Sequence, residues 1–145
     1  MEVGALDELS GGRVRLGIGS GVGHAIERLG FDTKRSLTTL RESILILRGL
    51  LRGEEVSFSG TFFNVKRVKL DYRPRANIPI FMAARGENAV KTCGEIADGM
   101  IVSNMCALDF VAGAVQSLNA AARAAGRAEM PGVVQYMPCF VNRNA

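Results

Sequence analysis

An α/β fold built on a parallel sheet is what this 145-residue sequence predicts, on three observations. First, Ile78-Pro79-Ile80-Phe81-Met82-Ala83-Ala84 is continuously apolar, the pattern of a strand covered on both faces, with Pro79 tolerable near its first position. Second, short apolar runs alternate with stretches of helical spacing along most of the chain, the order that right-handed β-α-β crossovers produce. Third, Gly17-Ile18-Gly19-Ser20-Gly21-Val22-Gly23 sets four glycines in alternate positions at the end of the first such run. A backbone of that kind is free to adopt positive φ and to approach a ligand closely.

Leu6-Asp7-Glu8-Leu9-Ser10-Gly11-Gly12 reads as a helix end with a glycine stop, and Arg13-Val14-Arg15-Leu16-Gly17-Ile18 as the short buried strand it feeds. Asp32 is the predicted N-cap of a helix from Thr33 to Arg52, in which Leu37, Leu40, Ile44, Leu47 and Leu51 recur at spacings of three and four before Gly53 stops it. From Glu55 to Val65, short β-type runs around a Ser-Gly turn predict a hairpin-like insertion that interrupts the alternation. After the strand over 78–84, Glu87 to Ala97 has helical spacing through Ala89, Val90, Cys93 and Ile96, and Gly99 to Ser103 is a second apolar strand. Ala107 to Gly126 is an Ala-rich helix with Phe110, Val111, Ala114, Val115 and Leu118 on one face; Pro131-Gly132 then leads into a strand from Val133 to Val141.

An open doubly wound sheet and part of a barrel both satisfy this order. In either, ligands collect at the carboxyl ends of the strands, which directs attention to Gly19 to Gly23, Ala84 to Asn88, Ser103 to Cys106 and Asn142.

A composition of 48% hydrophobic and 22% charged residues excludes a disordered or collagen-like polymer. The net charge of +4 is too small to imply nucleic acid without a basic stripe and aromatic platforms. The one basic concentration, Lys66, Arg67, Lys69, Arg73 and Arg75, is broken by Asp71 and reads as a solvated face, with the anionic tail of a cofactor as the sharper option. No apolar run approaches the ~18 to 20 residues that cross a bilayer, and Met1-Glu2-Val3-Gly4 reads as neither signal nor transit peptide, so no membrane partner and a cytoplasmic location are expected. Cys93, Cys106 and Cys139 are widely spaced with a single histidine to join them, which predicts reduced thiols and no metal site.

The glycine loop fails the dinucleotide fingerprint: from Gly17 the sixth position is Val22, and from Gly19 it is His24. About ten residues also separate the glycines from the helix expected at Asp32, which leaves that helix's dipole poorly placed for a pyrophosphate. Arg85-Gly86-Glu87-Asn88 joins a strand end to a helix start, where free N–H groups and the helix dipole favour a phosphate or carboxylate and Arg85 can add a bidentate contact. The bland alternative is an ordinary capped turn with a solvated Arg. Ser103-Asn104 offers a hydroxyl and an amide at the next strand end, either to complete that anion site or simply to cap the helix near Ala107. His24 reads as a solvated loop residue, and Glu54, Glu55, Glu95 and Asp98 as structural carboxylates in turns and at a helix end. No catalytic constellation is visible.

Taken in order, Leu6 to Arg13 running into Leu16 to Gly21, then Pro79 to Gly86, then Gly94-Glu95-Ile96-Ala97-Asp98-Gly99, resemble the luciferase-like (bacterial luciferase) superfamily of flavin- and deazaflavin-dependent oxidoreductases. The resemblance covers nearly the whole chain and is nearest to the coenzyme F-420-dependent branch that includes methylenetetrahydromethanopterin reductase. It implies a partial (β/α)8 TIM barrel over residues 1–145, about strands four to seven, with the insertion after the fourth helix.

It further implies that the cofactor phosphate is held around Ala84, Arg85, Gly86 and Glu87 and around Ser103 and Asn104, with Gly19 and Ser20 near the cofactor. Ser20 stands where members that bind FMN often carry an Arg, which favours F-420 over FMN. Met105-Cys106 depart from relatives that place a glycine and a phosphate-binding Lys there. The implied chemistry is hydride transfer between the deazaflavin and a small or C1-carrier substrate such as methylenetetrahydromethanopterin. The rivals are an FMN-dependent monooxygenase of the same superfamily and a non-catalytic half-barrel that dimerises or binds a partner through its strand edges. Since a barrel of this class takes ~250 residues, the chain is expected to be an incomplete fragment, completed by a missing N-terminal half or by a homo-oligomer. The family's acid/base groups lie mostly on the first three strands, which leaves no catalytic residue to assign here.

Overall fold

The structure is a computed structural model that describes residues 2–71 and 77–142. In chain order it contains α1 (Glu2–Ser10), β1 (Leu16–Ile18), α2 (Gly23–Arg28), α3 (Ser36–Leu51), β2 (Val56–Ser59), β3 (Asn64–Val68), β4 (Ile80–Ala83), α4 (Glu87–Ile96), β5 (Gly99–Val102), α5 (Leu108–Ala124) and β6 (Gly132–Gln135). Four strands form one parallel sheet in the order β1-β4-β5-β6, and β2 and β3 form a separate antiparallel hairpin.

Side chains alternate across the sheet, so each face has its own residue set. Ile80, Met82, Met100 and Val102 are fully buried against Leu40 and Ile44 of α3, Val90 and Cys93 of α4, and Leu118 of α5. On the opposite face pairing aligns Gly17, Phe81, Gly99 and Gly132 in one row and Ala83, Ile101 and Val134 in another. Phe81 occupies the first row almost alone, its ring filling the space a Cβ on Gly99 would need, with the Arg15 guanidinium 5.7 Å from the ring centroid. Gly17, Ala83, Gly132 and Val134 on this face are exposed. The four parallel strands follow one another in chain order without reversal, which is the order of a barrel arc and not the reversing order of a doubly wound sheet.

Asp98 gathers the elements at the amino ends of the strands. Its carboxylate accepts Arg48 Nη1 at 3.1 and 3.0 Å and the Ile80 N–H at 2.8 Å, while its backbone N–H donates to the Ile80 carbonyl and its carbonyl accepts the Gly132 N–H. Arg127 lies 3.6 Å from the same carboxylate and donates to the carbonyls of Gly94 and Ala97. On the other side of α3, buried Glu42 accepts the N–H groups of Thr61, Phe62 and Phe63 at 2.6, 2.9 and 3.0 Å, which fixes the hairpin turn to the helix. Burial opposes ionisation of Glu42, but these three donors prevail and hold its carboxyl below the usual range.

Three expectations need correction. Asp32 does not cap α3, which begins at Ser36 with Arg35 as its N-cap and no side-chain cap. Asp32 instead accepts the Lys34 N–H at 2.9 Å, the two-residue reach that makes Asp a turn former. The glycine loop does enter a helix at once: α2 starts at Gly23, a six-residue segment too short to show apolar periodicity. The last strand ends at Gln135 rather than Val141, and Pro138, which has no N–H to donate, stands three residues past its end. Arg73 and Arg75 of the basic concentration lie outside the described residues, and Arg67 pairs with Glu55 at 2.9 Å on the exposed hairpin. Cys93, Cys106 and Cys139 are free thiols. Among the described residues no helix is long and apolar enough to cross a membrane, and no three metal-ligating side chains come together.

Candidate functional site

A cavity of about 560 Å³ opens at the carboxyl ends of the sheet strands. Its walls come from the loop after β1 (Ser20, Gly21, Val22), the end of β4 into α4 (Met82 to Gly86, with Ala89), Ile101 and Ser103 of β5 and its loop, Tyr136 after β6, and Ser36, Leu37 and Leu40 of α3. Strand pairing sets the heights of these residues. Ala83 pairs with Ile101 and Val102 with Gln135, so continuing the register past the strand ends brings Arg85, Ser103 and Tyr136 to one level. The hydrogen bonds Ala84 N–H to Ile101 O, 3.3 Å, and Tyr136 N–H to Val102 O, 3.2 Å, carry the ladder to that point.

Two helix starts border the cavity. Gly86 is the N-cap of α4 with φ −80° and ψ 157° and no side-chain cap, and the first intrahelical bond is Val90 N–H to Gly86 O, which leaves the preceding N–H groups without an intrahelical partner. A Cβ on Gly86 would meet nothing within 4 Å, so the space in front of this helix start is open. The start of α3 is likewise without a side-chain cap. Among the described residues the charged lining is one cation, Arg85; the other polar side chains are the hydroxyls of Ser20, Ser36, Ser103 and Tyr136, and no carboxylate contributes. Donors, a guanidinium and helix starts without a competing anion suit a phosphate or carboxylate, while Leu37, Leu40, Val22 and Ile101 supply an apolar wall.

Of the residues expected from sequence, Ser20, Ala84, Arg85, Gly86 and Ser103 line this cavity together. Gly19 lies directly behind it, where a Cβ would stand 2.9 Å from that of Ala83. The Glu87 side chain turns away: it pairs with Lys91 at 2.7 Å and borders a separate groove of about 320 Å³ between α4 and α5. The hydrogen bond and charge of Lys91 hold its carboxyl below the usual range. Asn104 does not reach the cavity; its Oδ1 accepts the Ser103 hydroxyl at 3.2 Å on an exposed turn. Met105, next in that turn, takes φ 56°, the left-handed region that favours glycine.

Sequence reasoning missed Ser36 and Tyr136. Ser36 was hidden by placing the helix start at Asp32, and Tyr136 by extending the last strand past it. The signal for Tyr136 was available: Pro138, which has no N–H to donate to a ladder, follows two residues later. His24 lies exposed on α2 and is not part of the lining.

A family model described as luciferase-like monooxygenase matches residues 1–145. The 5,10-methylenetetrahydromethanopterin reductase of Methanolobus tindarius is 34% identical over 138 residues, covering 95% of this chain and 42% of that protein. The F-420-dependent glucose-6-phosphate dehydrogenase of Beutenbergia cavernae is 33% identical over 99 residues, covering 66% of this chain and 30% of that protein. Among solved structures, the coenzyme F-420-dependent tetrahydromethanopterin reductase from Methanopyrus kandleri superposes with TM-score 0.80 at 26% identity, over 92% of this chain and 43% of that one. The chain therefore spans less than half the length of the relatives it matches, and its four-stranded arc is part of a (β/α)8 barrel.

Proposed function

The chain belongs to the luciferase-like monooxygenase family, and from that premise we propose that its strand-end cavity holds coenzyme F-420 as the cofactor-binding portion of an F-420-dependent oxidoreductase. The observation that carries this reading is the lining itself: Arg85, an uncapped α4 start and three serine hydroxyls around a cavity into which, among the described residues, no carboxylate projects. That donor set fits an anionic phosphate, and the open space before Gly86 accepts it without displacing any side chain. The relatives named for F-420 use support the same choice, as does Ser20 at a position where FMN-binding members often carry an Arg.

In this reading Arg85 and the N–H groups at the start of α4 bind the phosphate, with the Ser103 hydroxyl an additional donor once it turns from Asn104 Oδ1. Gly19 and Ala83 keep the strand ends flat enough for a planar ring to lie against them. Leu37, Leu40 and Ile101 exclude water from the reacting face. When bound, the deazaflavin supplies or accepts a hydride, and the protein orients the two reactants. A C1 carrier of the methylenetetrahydromethanopterin type is the proposed substrate, on the likeness to the Methanolobus reductase. The bare inner face of the sheet and the outer edges of β1 and β6 are to be covered by further barrel strands, supplied by more chain or by a second copy.

Fluorescence titration of the purified chain with F-420 tests the proposal. Saturable binding is the expected result, and a folded sample that shows none overturns it.

A further inference from the structure

We propose that Tyr136 is a ligand-contacting residue of this cavity, its phenol ring lying against the planar ring of the bound cofactor and setting how tightly that ring is held. The inference rests on the reading of the cavity as a cofactor site and adds a residue that no motif carried. Three observations lead to it. The parallel register, continued past the strand ends, places Tyr136 level with Arg85 and Ser103, and all three line the same cavity. Its backbone is fixed there by the 3.2 Å bond to Val102 O, so the ring is delivered by the sheet and not by a wandering loop. Its side chain does no work for the fold: the residue is 70% exposed, and among the described residues its hydroxyl has no hydrogen-bond partner.

Among the described residues Tyr136 is also the one aromatic ring in the lining, the remainder being serines, glycines, aliphatics, Met82 and Arg85. A flat heteroaromatic ligand gains most from an aromatic face, which contributes beyond simple burial of area. Arg85, Ser103 and Tyr136 lie along one row, so the ligand's anionic group and its ring find different partners in it.

The test is a titration of wild type, Tyr136→Phe and Tyr136→Ala with F-420 and, in parallel, with FMN, which shares a planar three-ring system. For whichever cofactor saturates the wild type, Tyr136→Ala is expected to bind about tenfold more weakly and Tyr136→Phe within about twofold of wild type, with the melting temperature of both variants unchanged. An alanine variant that binds like wild type overturns the proposal, as does a phenylalanine variant as weak as alanine, because the ring would then not be the contact. Saturation by FMN alone overturns the F-420 reading and leaves the Tyr136 comparison to be read on FMN. Saturation by neither overturns both.

Discussion

Arg48 of α3 holds Asp98 with its Nη1 at 3.1 and 3.0 Å from the two carboxylate oxygens, and its Nη2 reaches the Ile96 carbonyl at 2.7 Å. The carboxylate in turn receives the Ile80 N–H, so one side chain ties a helix to the first residue of a central strand. Replacing Asp98 by Ala strands the Arg48 guanidinium and the Ile80 N–H in a half-buried site. A loss of about 2 to 3 kcal/mol is expected, since hydrogen bonds to charged groups are worth ~1.5 to 3 kcal/mol each and only part of the site is shielded from water. Urea denaturation with an unchanged slope measures it.

Phe81 and Gly99 face each other on the inner side of the sheet, where an added Cβ at Gly99 would fall within the Phe81 ring. Gly99→Ala is therefore expected to destabilise by about 1 to 3 kcal/mol through overpacking. The double variant with Phe81→Leu should recover part of that loss by relieving the overlap. Urea midpoints of the two single variants and the double give the coupling, and simple additivity would show that the ring does not set the requirement for glycine.

The alternation of strands and helices was legible because it depends on long apolar patterns: the run at 78–84 and the leucine spacing at 37–51 each survive any small error in boundary. Part of the cavity lining was legible for a related reason, since strand-to-helix turns such as Arg85-Gly86 sit where the parallel architecture puts ligands. What was not legible depended on competition between local and long-range effects. Asp32 offers the same oxygen to a turn as to a helix start, and the turn took it. Glu42 lies in the predicted helix with nothing in its spacing to show that a hairpin 19 to 21 residues later would enclose it.

The three N–H groups that surround Glu42 make a pH prediction. Its carboxyl ionises more readily in the folded protein than at the ordinary value of 4.5, so the contribution to stability is complete above that value and is lost as pH falls through the lower folded value. Glu42→Gln should be less stable than wild type near neutral pH, and the gap between their urea midpoints should close as the pH is lowered below about 4.5. A gap that stays constant down the acid range would mean that the negative charge contributes nothing.

Cys93 is fully buried beneath the sheet, and burial pushes its thiol up to about 12, although its sulfur lies near the Met82 carbonyl. The thiolate is the reactive form, so Cys93 is expected to be inert to a disulfide reagent in mildly alkaline buffer, while exposed Cys139 reacts at once. Counting released thiolate against time should give a fast phase from the accessible thiols and one further equivalent only after denaturant is added. Prompt reaction of all the thiols in the native protein would contradict the buried placement of Cys93.

Among the described residues Arg85 is the one cation in the cavity lining, and it is exposed with no acidic partner. A group that stabilises no neighbour but borders an anion-receptive helix start should matter for binding and not for folding. Arg85→Ala is expected to weaken F-420 affinity by about tenfold or more, the range for losing a charge-assisted contact, with the melting temperature within about a degree of wild type. Ser103→Ala should act in the same direction more mildly, because a hydroxyl donates a single hydrogen bond to the phosphate, where the guanidinium brings a full positive charge and can bind with two. The pair of fluorescence titrations is best run at two salt concentrations. A guanidinium–phosphate contact loses strength as salt rises, so the difference between wild type and Arg85→Ala should narrow in high salt while that for Ser103→Ala stays nearly constant. An Arg85→Ala variant that binds F-420 like wild type would remove this residue from the site.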